Sequence, residues 1–143
     1  MRAMTDLVVT SLSGASARQA VFEQTPSSAW LYMTGANGEP PIADCFLYNT
    51  GEEQQPDDEG PPPLDAQFAS DYRVALPLAE DDIELIWSMD GNAVAARIRG
   101  EIVGFISPDD LQGYSRSVRE DCTWAHRFDV EIFKRLFHPG KDE

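Results

Sequence analysis

The histidines and cysteines are the side chains of this chain best suited to metal binding or nucleophilic catalysis. Cys122 and His126 are four residues apart, so on a helix they would share a face. Cys45 would then complete a three-ligand zinc site, or a Cys–His pair would activate a nucleophile. No third group is indicated for a nucleophile, and His138 follows the predicted terminal helix. We therefore expect two reduced, buried thiols, no metal, no cofactor and no catalytic residue.

Adjacent carboxylates are the second candidate for chemistry. They occur as Asp57-Asp58, Asp81-Asp82 and Asp109-Asp110. Glycosidase-type acid–base catalysis needs two carboxylates with different pKa values across a cleft, and calcium needs alternating ligands, so neighbouring aspartates in loops specify neither. The chain contains no P-loop, GxGxxG, HExxH or GxSxG motif. An enzyme using Arg116 and nearby carboxylates stays a minor alternative.

The run Gly113-Tyr114-Ser115-Arg116 is the third candidate. In an extended strand, Tyr114 and Arg116 lie on the same side. Both residue types anchor protein interfaces, which makes them candidate partner-binding residues. The alternative is structural, with Tyr114 packed on a sheet and Arg116 paired to Asp90 or Asp44.

The net charge of −14 is unevenly distributed. Residues 1–90 contain 16 acids and 3 bases, whereas residues 91–143 contain 9 acids and 8 bases. Nucleic acids and anionic membrane surfaces are disfavoured as partners, because both require a basic face. A basic protein partner is permitted, and the field would accelerate its encounter. Solubility alone is the other explanation of this charge.

The strands and helix that must position these residues follow from hydrophobic periodicity. Alternation predicts strands over 19–24, 28–34 and 42–49. Residues 83–107 predict a three-stranded antiparallel meander, with a two-residue turn at Asp90-Gly91 and a second turn at Gly100. A strand face shared by residues 83, 85 and 87 predicts that Trp87 is mostly buried.

The C-terminal segment 122–137 predicts an amphipathic helix. Its apolar residues step by four from Trp124 through Phe128, and Asp121 or Thr123 would cap it. The acidic, proline-rich segment 50–65 predicts a loop within a single domain of residues 1–143. The expected fold is α+β, a mostly antiparallel sheet of five to seven strands packed on the C-terminal helix.

Several short motifs occur together in a recognisable order, and two of them, WSMDG and GYSR, are specific. The order is Val21–Glu23, Trp30–Tyr32, Ile42–Asn49, Ile86–Gly91 and Gly113–Arg116. Over about residues 21–118 the chain resembles a small bacterial family of uncharacterised proteins, a domain of unknown function with a WSxDG hairpin and a GYCR-like strand. It departs from that pattern at Ser115, where cysteine is expected. It departs again at Thr25–Ser28, where Pro26 interrupts an expected acidic-glycine turn. The resemblance implies a bacterial cytoplasmic domain and carries no catalytic assignment.

These observations favour a non-catalytic protein-interaction domain. The acidic region, residues 39–90, would occupy a basic partner surface, as in an immunity-type inhibitor of a nuclease-type toxin. The predicted partner-binding residues are Asp57, Asp58, Glu59, Tyr114 and Arg116. The alternative is a small-ligand binding module, with a pocket between sheet and helix lined by Trp30, Trp87 and Tyr114.

Overall fold

The computed structural model describes residues 7–25, 28–50, 64, 67–72 and 74–138, and every element is assigned within this part of the chain. The strands and the α-helix are numbered in chain order. They are β1 Leu7–Leu12, β2 Arg18–Gln24, β3 Ser28–Ala36, β4 Pro41–Asn49, β5 Ile83–Trp87, β6 Val94–Ile98, β7 Glu101–Ile106, β8 Gly113–Ser115, β9 His126–Arg127 and α1 Val130–Phe137.

The strands form two sheets. The first has the order β1-β2-β3-β4 and is antiparallel throughout, and the second has the order β5-β6-β7-β8-β9 with one parallel pair, β8 and β9. The α+β class is thus confirmed, but the prediction of one sheet of five to seven strands is wrong. Each of the two sheets has an apolar inner face, and packing the two faces together removes both from water.

The core lies between the two sheets and draws on strands of both. Its largest fully buried side chains include Phe22, Leu31, Leu47, Val94 and Ile106. The residues of β5 that share the inner face belong to this core as predicted, although Trp87 is only partly buried. Its indole Nε1 donates to Ser11 Oγ at 3.0 Å, which ties the β5 edge to β1.

The β4 strand approaches β7 and β8 closely on the other side of the core. Gly113 leaves no room for a side chain, because a Cβ there would lie 2.4 Å from Cys45 Cα. Ser115 Oγ donates to the carbonyl oxygen of Leu47 at 3.0 Å. The thiol of Cys45 is fully buried at this contact and faces the carbonyl oxygen of Tyr114 at 3.6 Å.

The predicted meander is confirmed as β5-β6-β7, with one turn of a different kind. The β5–β6 connection is longer than the expected two-residue turn, since Ser88 N still donates to Ala93 O at 2.9 Å. Gly91 has the expected positive φ of 75°, but Asp90 does not. Asp90 instead accepts from Ser88 Oγ at 2.8 Å and Asn92 N at 3.0 Å, and these hydrogen bonds lower the pKa of its carboxyl. The two-residue turn with both φ values positive occurs at Arg99 and Gly100.

The helix is half as long as predicted. It begins at Val130, and Asp129 caps it by accepting from Glu131 N and Ile132 N at 3.0 Å each. Residues 122–125 form a turn instead, closed by Cys122 N donating to Ala125 O at 2.9 Å, and β9 follows. The prediction that Asp121 or Thr123 caps the helix is therefore wrong.

The α1 helix lies against the outer face of the second sheet. Phe133 and Phe137 contact Phe105 at ring-centroid distances of 5.6 and 6.1 Å. The helix therefore forms a third layer, and the first sheet keeps an outer face that α1 does not cover. Within the residues described, no helix combines the length and apolar character needed to cross a bilayer.

Candidate functional site

Of the predicted partner-binding residues, Tyr114 lies in β8 and Arg116 in the turn that follows it, and both side chains pack against aromatic rings. Tyr114 stacks on Phe105 at 5.2 Å and donates its hydroxyl hydrogen to Asp110 Oδ2 at 2.5 Å. The Arg116 guanidinium lies 4.0 Å above the Phe128 ring, and its Nε donates to Ile102 O at 2.6 Å. Among the described residues Arg116 forms no ion pair, so the predicted pairing with Asp90 or Asp44 is wrong. Both side chains are used in packing, Tyr114 against Phe105 of β7 and Arg116 against Phe128 before α1.

The other predicted site residues are dispersed or fall outside the structure. Asp57, Asp58 and Glu59 lie outside the described residues. Trp30 lies on the outer face of the first sheet and Trp87 borders the inner core, so they do not meet Tyr114 in a pocket beneath the helix. Within the described part of the chain no group of three or more His, Cys, Asp or Glu side chains is arranged to hold a metal. Cys122 and His126 do not share a helix face, because no helix forms there.

An aromatic strip on the outer face of the first sheet is the feature that the sequence did not reveal. It consists of Trp124, Trp30 and Tyr32. Trp30 and Tyr32 alternate along β3 and therefore project from the same face, with their ring centroids 6.4 Å apart. Trp124, from the turn before β9, stacks on Trp30 at 5.3 Å and keeps 38% of its surface exposed. The edge contact of Phe46 with Trp30, at 5.7 Å, fixes the strip on β4.

Two carboxylates flank the strip, one from each neighbouring strand. Glu23 of β2 lies opposite Trp30, and Asp44 of β4 lies opposite Tyr32. Burial, reinforced by the charges of Glu23 and Asp44, raises the pKa of Tyr32 to about 12. Loss of surrounding water also raises the pKa of Asp44. Neither carboxylate forms an ion pair with any described residue.

Exposed apolar side chains lie near the strip, and no described base forms an ion pair with its carboxylates. Val8, opposite Glu23 on β1, is 53% exposed, and Leu12 on the same face of β1 is 70% exposed. Arg18 is the one described base within residues 1–90, and it is engaged elsewhere. Its Nε donates to Asn92 Oδ1 at 3.1 Å and its Nη1 to Thr34 O at 3.2 Å.

This arrangement suits the binding of a cation. Aromatic faces attract an ammonium or guanidinium group, and the attraction rises when carboxylates contact the same group. Asp44 is exposed, but partial burial raises the pKa of its carboxyl, so a cation beside it would favour its charged form.

The charges around Tyr32 give a prediction that concerns its pKa. Asp44→Asn is expected to lower the pKa of Tyr32 from about 12, since it removes one of the two charges that oppose ionisation. Because the folded-state value lies above the usual 10, ionisation opposes folding. The contribution of Tyr32 to stability is complete below pH 10 and is lost as the pH rises through about 12. An NMR titration of the tyrosine ring carbons measures this shift, and Asp81→Asn is the control. An unchanged value in Asp44→Asn would contradict the proximity of the two side chains.

Comparisons with family models, with curated proteins and with solved structures found no match to this chain.

Proposed function

We propose that this chain is a non-catalytic protein-interaction domain that binds a basic protein through the outer face of its first sheet. The observation that carries the proposal is the pair Glu23 and Asp44, which flank the aromatic strip without a described counter-charge. An arginine of a partner would lie over Trp124 or Tyr32 with a carboxylate beside it. Aromatic anchors with a polar rim are the usual composition of an interface hot spot.

The charge distribution supports the same proposal, that the first sheet binds a basic protein. All four strands of the first sheet lie within residues 1–90, the part with 16 acids and 3 bases. Such a field steers a basic partner toward this half of the molecule and raises its association rate. A solvated surface without a partner would also be acidic, but it would not need exposed Trp124, Val8 and Leu12.

The partner that we favour is a protein whose basic surface itself serves to bind nucleic acid. An acidic immunity-type inhibitor of a nuclease-type toxin, acting in the bacterial cytoplasm, would work in this way. The acidic face would compete with phosphate for the same arginines and lysines.

The test uses a short peptide of alternating arginine and serine, and the same peptide with citrulline in place of arginine. Citrulline keeps the shape of arginine and removes its charge. The arginine peptide should bind and change the tryptophan fluorescence of the chain, and the citrulline peptide should not; the change should be absent in Trp124→Phe. Binding should weaken steeply between about 0.1 M and 1 M salt, because the Debye length falls from about 10 Å to about 3 Å.

The double variant Glu23→Gln/Asp44→Asn should weaken binding of the arginine peptide roughly tenfold or more, the effect of losing two charge-assisted contacts. Glu80→Gln/Asp81→Asn makes the same change in net charge at exposed positions before β5 and is the matched control. Equal losses in the two double variants, or equal binding of the two peptides, would contradict the proposed interface. Joint charge reversal of Asp57, Asp58 and Glu59 then tests whether that segment also contributes, as a slower association with little change in dissociation.

A further inference from the structure

The strand β1 forms one edge of the first sheet. Among the described residues it pairs with β2 alone, in a regular register without a bulge. The side chains on its outer face, Val8, Thr10 and Leu12, are all exposed. The strand contains no proline and no charged residue, the features that usually protect an edge strand from further pairing. The described part of the chain thus leaves this edge open to another strand.

The hydrogen bonds between β1 and β2 show which backbone groups of β1 face away from the sheet. Ser13, the residue after β1, directs its N–H toward β2, where it donates to Arg18 O at 2.8 Å. Since the direction alternates along an antiparallel ladder, residues 7, 9 and 11 also bond to β2. The N–H and C=O groups of residues 8, 10 and 12 therefore point outward from the edge, at the same residues whose side chains are exposed.

Two copies of β1 match each other in one antiparallel register. With Thr10 opposite Thr10 of the second copy, Val8 lies opposite Leu12 and Leu12 lies opposite Val8. All three are pairs of outward-pointing residues, and each such pair exchanges two N–H···O=C bonds. The exposed apolar side chains of the two copies would contact each other across the new ladder. A two-fold axis through Thr10 relates the copies, which is the commonest symmetry of homodimers.

The charge of the chain permits this contact, although each copy carries −14. Residues 7–17 contain no charged side chain. Glu23 of β2 lies opposite Val8, and in this register the Glu23 residues of the two copies would be roughly 20 Å apart, from the usual strand spacing and rise per residue. That distance is about two Debye lengths at 0.1 M salt, so repulsion between these carboxylates is largely screened.

We propose that β1 pairs with β1 of a second copy of this chain, antiparallel about Thr10, so that two four-stranded sheets become one sheet of eight strands. A strand of six residues is a small contact beside the roughly 20–30 residues a side of a stable interface. We therefore expect a weak, reversible dimer with a Kd of roughly 100 µM. The pairing uses the edge of the sheet and not its outer face, so it does not depend on the proposed basic partner.

Sedimentation equilibrium of the whole chain between about 5 and 500 µM, on either side of the expected Kd, tests for the dimer. Association should be at least as strong at 1 M salt as at 0.1 M, because salt screens the repulsion between like-charged chains. Binding of a basic partner would show the opposite salt dependence, so the two proposals fail separately. A chain that stays monomeric, or a dimer that weakens at 1 M salt, would overturn the proposal.

Amide hydrogen exchange at low and high protein concentration locates the contact without any substitution. Protection should rise with concentration at Val8, Thr10 and Leu12, whose N–H groups point outward. It should stay constant at Val9 and Ser11, whose N–H groups already bond to β2. Protection that rises at other residues and not at these three would overturn the proposed edge.

Two charge variants test the register, because Thr10 should meet its own copy. Thr10→Lys and Thr10→Glu should each weaken self-association about tenfold or more, since like charges then lie opposite each other. An equimolar mixture of the two variants should form a dimer, because opposite charges then meet. Glu131→Gln on α1 makes the same change in net charge as Thr10→Lys and should dimerise like the wild-type chain. Undiminished association of either Thr10 variant alone, or a mixture no more associated than its components, would overturn the pairing about Thr10.

Discussion

Gly113→Ala is expected to lower the free energy of unfolding by about 3 kcal/mol or more, the upper part of the usual range for an overpacked core. The added Cβ would lie 2.4 Å from both Cys45 Cα and Cys45 Cβ, and 2.7 Å from the carbonyl oxygen of Asp44. These atoms belong to the backbone of β4 or are fixed to it, so no rotation of a side chain relieves the collision. The two strands must separate, and the core beneath them loses its packing.

Urea denaturation followed by circular dichroism measures this loss. Gly14→Ala is the matched control, since a Cβ at Gly14 meets nothing within 4 Å. The free energy of unfolding of the control should lie within about 0.5 kcal/mol of that of the wild-type chain. A Gly113→Ala chain as stable as the control would show that β4 and β8 are not in contact.

Phe105→Ala is expected to lower the free energy of unfolding by about 3–5 kcal/mol and to release α1 from the second sheet. Phe105 is fully buried, and its ring contacts Tyr114, Phe128, Phe133 and Phe137. No residue of α1 is fully buried, and Phe105 contacts two of its aromatic side chains, Phe133 and Phe137. A helix of eight residues is too short to persist without packing, so its loss from the sheet also means its unfolding.

The expected signature is a loss of helical circular dichroism before the main transition. Tryptophan fluorescence, to which Trp30 and Trp124 of the aromatic strip contribute together with Trp87, should change only in the main transition. Phe105→Leu keeps most of the apolar volume and should cost about 1 kcal/mol, with the helix retained. Full helical signal in Phe105→Ala would show that α1 is anchored by other contacts.

The strands were largely predictable because alternation is a local property. Residues 19–24, 28–34 and 42–49 coincide closely with β2, β3 and β4, and the meander over 83–107 is confirmed. The division into two sheets was not predictable. An apolar strand face indicates that something covers it, and it does not indicate whether the cover is a helix or a second sheet.

The helix prediction failed for a reason that lies in the packing. Trp124 and Phe128 continue the four-residue step of the helix, yet they contact different sheets. Trp124 stacks on Trp30 of the first sheet, and Phe128 contacts Phe105 of the second at 5.3 Å. Two separate apolar contacts thus reproduced the spacing of one helical face.

The candidate interface could not be predicted from the sequence, because it depends on the register in which the strands pair. The alternation of Trp30 and Tyr32 was visible, but the positions of Glu23 and Asp44 beside them follow from strand pairing. Trp124 stacks on Trp30 although the two residues are more than 90 positions apart in the chain. The predicted residues Tyr114 and Arg116 had the right types for an interface and are used in packing instead.

The side chain of Cys45 lies between its own strand, β4, and β8, so the reactivity of its thiol can be used to measure how often the two strands separate. Burial raises the pKa of this thiol far above its usual range, so the native state presents almost no reactive thiolate. Alkylation of Cys45 must await separation of the two sheets, whereas Cys122 is partly exposed. The labelling rate of Cys45 relative to that of Cys122 therefore reports how often the core opens at Cys45 under native conditions.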